Sequence, residues 1–349
     1  MIQQSLKLKV GELVEVRPLA EILSTLNKQA RLDELPFMPQ MIHCCGKQYR
    51  VRKRAHKLCD TAFGTGARRV ENAVYLEAAP CDGKAYGGCE MRCEILWKEA
   101  WLKRVEAHER VDASIPIATQ LACSETDIWA AARSRDADGD IFVCQATQML
   151  HATKPLSAWS PGQYVEDYKS GNVGLSRILG SISYMLYSTL VSSGVGFGSA
   201  LRWAYDAFQK IRGGVPYPDL PGVLPKGGPT PAKNLGLQVG DFVRIRSHEE
   251  ILQTVDESLM NRGMGFHPEM VPYCGKTFRV RQRVRKIINE RTGRLVELKN
   301  SCLVLDGADC VGRYSRPLNC PRASNPYWRE IWLERINPAG GSAAQAKNT

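Results

Sequence analysis

One unit of roughly a hundred residues occurs twice in this chain, and that constrains the fold more than anything else in the sequence. Val10-Gly-Glu-Leu-Val-Glu-Val-Arg17 returns as Val239-Gly-Asp-Phe-Val-Arg-Ile-Arg246, an offset of 229 residues. At the same offset Glu21-Ile-Leu23 matches Glu250-Ile-Leu252, Cys45-Gly-Lys47 matches Cys274-Gly-Lys276, and Cys81 matches Cys310. Two residues then enter the second copy. After them Cys89 matches Cys320, and Trp97-x-Glu-x-Trp101-Leu-x-Arg104 matches Trp328-x-Glu-x-Trp332-Leu-x-Arg335. Two copies of one pattern imply two copies of one core.

Each copy opens with an alternating run after a glycine and an acidic residue, which predicts a first strand entered through a turn. One or two helical turns follow, over 19–26 and 248–255. The Cys-Gly turn leads to a second strand, and 70–76 or 294–305 forms a third. Trp97, Trp101, Leu102 and Val105 are spaced as one face of a helix, and so are Trp328, Trp332, Leu333 and Ile336. The expected class is α+β: two small SH3-like β-barrel repeats with terminal helices, flanking a mainly helical central region. The expected domains are a Cys-rich first repeat over 1–108, a central region over 109–212, a linker over 213–237, a second repeat over 238–338, and a disordered tail over 339–349. The linker assignment rests on six prolines and six glycines within 213–237.

The central region contains 24 consecutive uncharged residues, 178–201. Their Ser, Gly and Tyr content weakens a membrane span. A buried helical hairpin is the first reading, an interfacial helix with peripheral membrane contact the second, and a true span the third. The N-terminus shows no apolar secretion signal, so a cytoplasmic protein is expected, with membrane association through 178–201 left open.

The formal net charge of +11 is concentrated in the repeats. Residues 1–104 hold 18 Lys/Arg against 12 Asp/Glu, and residues 238–336 hold 17 against 12. The middle, 105–237, holds 11 against 12. Basic repeats point to a polyanionic partner: nucleic acid, a phosphorylated glycan or an acidic protein. The candidate surface is the second strand. If Phe278, Val280 and Val284 face the core, Arg279, Arg281, Arg283 and Arg285 project from the other face, spaced roughly 6.6–6.8 Å apart. Arg50, Arg52 and Arg54 are their counterparts. Four like charges in a row need an offset, either neighbouring acidic side chains or an anionic ligand.

Twelve cysteines without a secretion signal favour thiols or metal ligands over disulfides. In the second repeat Cys274, Cys302, Cys310 and Cys320 would supply four thiolates to a structural zinc. In the first, Cys45, Cys81 and Cys89 match three of these. Ala73 stands where Cys302 would be, so Cys59 or Cys93 is the candidate fourth ligand. The first repeat also has a surplus, with Cys44, His43 and His56. An iron–sulfur cluster on the Cys81-x7-Cys89-x3-Cys93 run is the lesser alternative. No Cys-x-x-Cys knuckle is present, and buried thiols acting as small apolar side chains explain the same residues.

Nucleotide-binding glycine motifs, a Gly-x-Ser-x-Gly elbow and His-Glu-x-x-His are all absent. Asp136-Ala-Asp-Gly-Asp140 has its glycine too early for a calcium loop and reads as a polar turn. Taken together, Val-Gly-Glu-Leu-Val-Glu-Val-Arg, Pro36-Phe-Met-Pro39, Cys-Gly-Lys-x-Tyr/Phe-Arg-Val-Arg, Cys81-Asp-Gly…Gly-Gly-Cys89, Cys320-Pro-Arg322, Trp328-Arg-Glu-Ile-Trp-Leu-Glu-Arg335 and Phe142-Val-Cys-Gln-Ala-Thr147 resemble a largely uncharacterised family of bacterial tandem-repeat proteins. Its members tend to be encoded near cell-envelope polysaccharide or natural-product genes. The resemblance covers nearly the whole chain, implies a bacterial, intracellular accessory role, and carries no catalytic residue. The functional expectation is a non-catalytic, metal-stabilised binding protein for a polyanion. The alternative is a zinc or iron–sulfur biosynthetic enzyme with its site in the Cys-rich first repeat, so whether the chain is an enzyme stays open.

Overall fold

The computed structural model describes residues 5–105, 122–193, 196–314 and 318–336. The expected tail lies outside them, as does most of the expected boundary between first repeat and central region. The protein is mixed α/β, with several curled antiparallel sheets. It divides into two compact units. Unit 1 comprises 1–198, 286–298 and 311–324, and unit 2 comprises 199–285, 299–310 and 325–349. Two segments of the second sequence repeat are therefore grouped with the first unit.

The strands of the first repeat's two main sheets are β1 (Leu13–Val16), β2 (Gln48–Arg54), β3 (Lys57–Asp60), β4 (Gly66–Arg69), β5 (Ala73–Pro80), β6 (Glu94–Lys98) and β7 (Leu102–Arg104). The main sheet runs β6-β5-β2-β1-β7, while β3 and β4 pair in a second sheet. β1 forms because Val14 and Val16 alternate inward, where both are fully buried. Glu15 points outward and pairs with Lys103 at 2.8 Å. Gly11 starts the strand with φ +86°, and its amide donates to the Val51 carbonyl.

The second repeat builds β8 (Phe242–Ile245), β9 (Thr277–Ile288), β10 (Leu295–Leu305) and β11 (Leu333–Ile336), in sheet order β10-β9-β8-β11. The duplication extends to register. Leu13 faces Arg50, and Phe242 faces Arg279; Val14 faces Arg104, and Val243 faces Arg335. Gly240 repeats Gly11, with φ +98° and its amide on the Val280 carbonyl.

The expected terminal helices are not formed. Each tryptophan segment is a strand or bridge residue, a single 3-10 turn and another strand: β6, Glu99–Trp101 and β7 in one copy, and Trp328, Glu330–Trp332 and β11 in the other. One 3-10 turn between strands returns the fourth residue to the same side, so the spacing imitates a helix face. The residues between the tryptophans explain the outcome. Lys98, Glu99, Arg329 and Glu330 are buried rather than solvated. Phe37 meets Trp101 edge-on at 5.2 Å between ring centroids, and Phe266 meets Trp332 at 5.5 Å. The indole of Trp101 donates to Thr25 Oγ1, and that of Trp332 donates to Thr254 Oγ1.

The 178–201 stretch lies on two helices, Leu175–Val191 and Gly198–Arg212. The first buries Ile178, Ser181, Tyr184 and Met185 but exposes Leu175, Leu179, Leu186 and Leu190; the second buries no residue. Helicity is as expected, but full burial is not, because the first helix carries apolar residues on two opposite sides and the second leaves its apolar stripe exposed. Among the described residues no helix is long and apolar enough to cross a membrane. The Pro/Gly-rich stretch 213–237 is largely irregular and belongs to unit 2. Tyr217 and Leu237 are buried, and Asn261 Nδ2 donates to the Pro231 carbonyl.

Candidate functional site: a sulfur-lined pocket in the first unit

Cys81, Cys89, Cys93 and Cys144 line one pocket within unit 1, together with Met38, Met91 and Met149. Cys81 follows β5 directly, and its amide donates to the Cys93 carbonyl at 2.8 Å, which closes the Cys81–Cys93 loop at its base. Inside the loop Gly83, Gly87 and Gly88 all have positive φ. Gly83 is required sterically, because a Cβ there would sit 1.8 Å from the Cys89 carbonyl oxygen. Cys144 arrives from the turn after the hairpin Arg133–Asp136/Gly139–Phe142.

The pocket wall is mostly apolar, and its free interior of about 40 Å³ has room for only a few water molecules. Burial pushes the Cys81 thiol up to about 12 and raises those of Cys93 and Cys144, so these thiols are protonated and neutral near pH 7. Gln40 Nε2 donates to the Cys81 sulfur at 3.1 Å. Arg322 and Glu290, both on the wall, pair at 3.2 Å. Burial opposes the Arg322 charge, but the neighbouring Glu290 carboxylate favours it, and its pKa is raised.

The other sequence-selected cysteines lie elsewhere. Cys45 and Cys274 occupy matching places, each ending a 3-10 turn with its amide on the carbonyl three residues back, Ile42 or Val271. Burial pushes their thiols up to about 11 and about 12. Cys302 is buried on β10, where Arg329 Nη1 donates to its sulfur at 3.7 Å. Cys310 belongs to unit 2. Cys320 belongs to unit 1, with its sulfur 3.7 Å from that of Cys59. The expected set Cys274, Cys302, Cys310 and Cys320 is thus divided between the two units. Among the described residues no group of three or more His, Cys, Asp or Glu is arranged to hold a metal ion.

The arginine strand is spent largely on the fold. Arg54 is buried between Glu99 Oε1 at 2.5 Å and Glu166 Oε1 at 2.8 Å. Its counterpart Arg283 pairs with Glu330 Oε1 at 2.7 Å and donates to Ser301 Oγ. In both repeats the same pair fastens the segment before the first strand. Arg54 donates to the Leu8 carbonyl while Glu99 accepts from the Leu8 amide; Arg283 donates to the Leu237 carbonyl while Glu330 accepts from the Leu235 amide. Arg52 pairs with Glu94 at 3.3 Å and lies over the Tyr75 ring. Arg281 Nη2 donates to Asn325 Oδ1. Arg50, Arg279 and Arg285 are exposed. The row is therefore not a uniform outward face, because Arg54 and Arg283 are drawn inward to buried carboxylates.

Sequence reasoning missed Cys144, which has no repeat partner to single it out. It also missed a buried polar cluster in which Lys57 Nζ lies 2.5 Å from Asp167 Oδ2 and His56 Nε2 lies 3.3 Å from Asp167 Oδ1. Lys57 and Asp167 are fully buried, and burial lowers the lysine pKa against the opposing pull of Asp167. No family model matches the chain, and no curated protein is similar to it.

Proposed function

We propose that the chain is a non-catalytic binding protein whose ligand site is the sulfur-lined pocket of unit 1, and that the ligand is a thiophilic metal ion, zinc first. The supporting observation is that four thiols from two separate segments, Cys81–Cys93 and Cys144, line the same pocket. In the arrangement described these thiols do not form a ready metal site. Loading therefore requires a local closure of the glycine-bearing loop and release of the thiol protons, which makes affinity rise with pH. Four thiolates fill a tetrahedral shell and leave no open position, which favours a binding role over the alternative of a metal-dependent biosynthetic enzyme. The accompanying fold reading is that each repeat is an SH3-like module. Its support is the shared strand register and the curled sheets.

Metal analysis of anaerobically purified full-length protein, with and without added zinc, tests this. About one zinc per chain is expected, lost in Cys81→Ser and Cys93→Ser and kept in Cys274→Ser. No bound zinc, or a stoichiometry that ignores Cys81 and Cys93, overturns it. A brown protein absorbing at about 400 nm replaces zinc with an iron–sulfur cluster.

A second reading concerns helix Gly198–Arg212. Trp203 is 74% exposed and Ile211 86%, with Phe208 on the same stripe and Arg202, Lys210 and Arg212 around it. An apolar stripe with an aromatic residue and flanking cations suits the interface of an anionic bilayer. We read it as a peripheral membrane contact. Co-sedimentation with phosphatidylserine vesicles tests it: binding should weaken with salt and fall at least several-fold in Trp203→Ala/Phe208→Ala. Equal binding of parent and variant overturns it.

A further inference from the structure

Cys59 and Cys320 are 261 residues apart in sequence, yet their sulfurs lie 3.7 Å apart inside unit 1. We propose that they form a redox-active dithiol, a site of reversible oxidation by hydroperoxides or low-molecular-weight disulfides.

Both sulfurs are held in place by named contacts. Cys59 is on β3, where alternation puts it on the same side as Lys57, and Lys57 is fixed by Asp167. Cys320 ends a loop that repeats the Cys89 loop. Gly312 has φ +63° and matches Gly83, and a Cβ at Gly312 would sit 2.5 Å from the Cys320 amide nitrogen. Asn319, with φ +56°, stands where the first copy has Gly88, and its amide returns to the Gly312 carbonyl as that of Gly88 returns to Gly83. Beyond the thiol, Arg52 donates to the Pro321 carbonyl, and Arg322 donates to the Cys59 carbonyl and Thr61 Oγ1. On the other side Ser181 Oγ donates to Asn319 Oδ1. The loop is therefore fastened directly to the strand that carries the other thiol.

The chemistry follows from position. Two cationic side chains flank the pair: Lys57 interacts electrostatically with Cys320, and Arg322 with Cys59. Cys59 is half-buried and Cys320 is buried, so Cys59 meets the oxidant. Its thiolate attacks one peroxide oxygen, the O–O bond breaks, and the departing oxygen leaves as water or alcohol after taking a proton. Cys320, as thiolate, then attacks the sulfenic sulfur of Cys59; the S–O bond breaks, water leaves, and the disulfide forms. Two thiols and one hydroperoxide give one disulfide, one water and one alcohol or second water. The sulfurs approach by roughly 1.7 Å to reach the bonded length of about 2.0 Å, within reach of side-chain rotation. In the corresponding place on β9 the second repeat has Ile288, so the pair is not a by-product of the duplication.

The site shares Arg322 with the pocket wall but uses none of Cys81, Cys89, Cys93 or Cys144, so its bridge and the pocket's metal are read out separately. The test is non-reducing peptide mapping of the full chain after stoichiometric hydrogen peroxide, and separately after oxidised glutathione. A Cys59–Cys320 linked peptide should be the first bridge to appear, with two of the twelve thiols lost and both recovered by dithiothreitol. Cys59→Ser and Cys320→Ser should each remove that peptide. Cys59→Ala, melted alongside the reduced parent, guards against a folding artefact: an unchanged melting temperature with no bridge supports the assignment. A dominant bridge between other cysteines, or a Cys59 that stays alkylable after oxidation, overturns it.

Discussion

The two repeats share a frame down to individual hydrogen bonds and differ in what is attached to it. The buried Arg–Glu clasp, the Trp–Thr hydrogen bond, the positive-φ glycine before the first strand and the 3-10 turn ending in cysteine occur in both. Cys59 and Cys93 belong to the first copy alone, with Ile288 and Ser324 in their places in the second, and Cys144 falls outside the repeated stretch. Shared residues here are mostly residues that hold the fold. The pocket combines both kinds, repeated Cys81 and Cys89 with unrepeated Cys93 and Cys144. A motif's recurrence within a chain is thus better evidence for architecture than for a site.

The clasp offers the largest effect that would break or sharpen this comparison. Arg54→Ala leaves Glu99 buried without its guanidinium, and Arg283→Ala does the same to Glu330. Loss of one partner of a buried pair costs about 3–5 kcal/mol. Arg54 is the more enclosed of the two, with side-chain exposure of 10% against 18% for Arg283. Urea unfolding should therefore show both variants strongly destabilised, Arg54→Ala more so. A small loss for either would mean that the clasp is not part of the shared frame.

Acid should separate the copies next. His248 and His267 stand where the first repeat has Leu19 and Met38. Burial holds His248 down to about 4 and lowers His267 as well. The folded state keeps these rings neutral, while the unfolded chain takes up protons below about 6.5. Their contribution is fully present above that value and is lost as pH falls from about 6.5 toward about 4. Between pH 7 and 5 the loss from His248 alone is about 2 kcal/mol. His248→Leu should flatten this slope in unit 2, as followed by hydrogen exchange at the Val243 and Ile245 amides. An unchanged slope would mean that His248 is not the acid-sensitive group.

Much of the frame was legible in the sequence, and the reasons for the failures are specific. The first strands, the Cys-Gly turns and the strands after them follow from alternation and turn chemistry, which are local. The tryptophan segments were misread because a spacing of four residues is shared by a helix face and by a strand interrupted by one 3-10 turn. The buried Lys98 and Glu99 that decide between them depend on Asp33 and Arg54, which are distant in sequence. The arginine row was legible only in part for the same reason: alternation shows that Arg283 leaves the apolar face, but not that Glu330 meets it there. Cys81, Cys89 and Cys93 could be selected from their density alone. Cys144 could not, because only the tertiary fold brings it to their pocket.

The smallest effect concerns the indole hydrogen bonds. Trp101 Nε1 lies 3.2 Å from Thr25 Oγ1, and Trp332 Nε1 lies 2.9 Å from Thr254 Oγ1. Both tryptophans are fully buried, so neither indole has water to replace the lost acceptor. Each threonine hydroxyl also donates to the carbonyl three residues back, Ile22 or Ile251, so substitution frees that acceptor too. Thr25→Val and Thr254→Val keep the side-chain shape and remove only the hydroxyl. Each should cost about 1–3 kcal/mol, the range for leaving a buried polar group unpaired, with the lower end expected because the freed carbonyls are near helix ends. The shorter bond predicts the greater loss at Thr254. Parallel melts of the two variants decide the matter. Near-equal losses mean that the two copies hold their tryptophans in the same way, whereas a loss in one copy alone places the divergence of the repeats inside their cores rather than at their attachments.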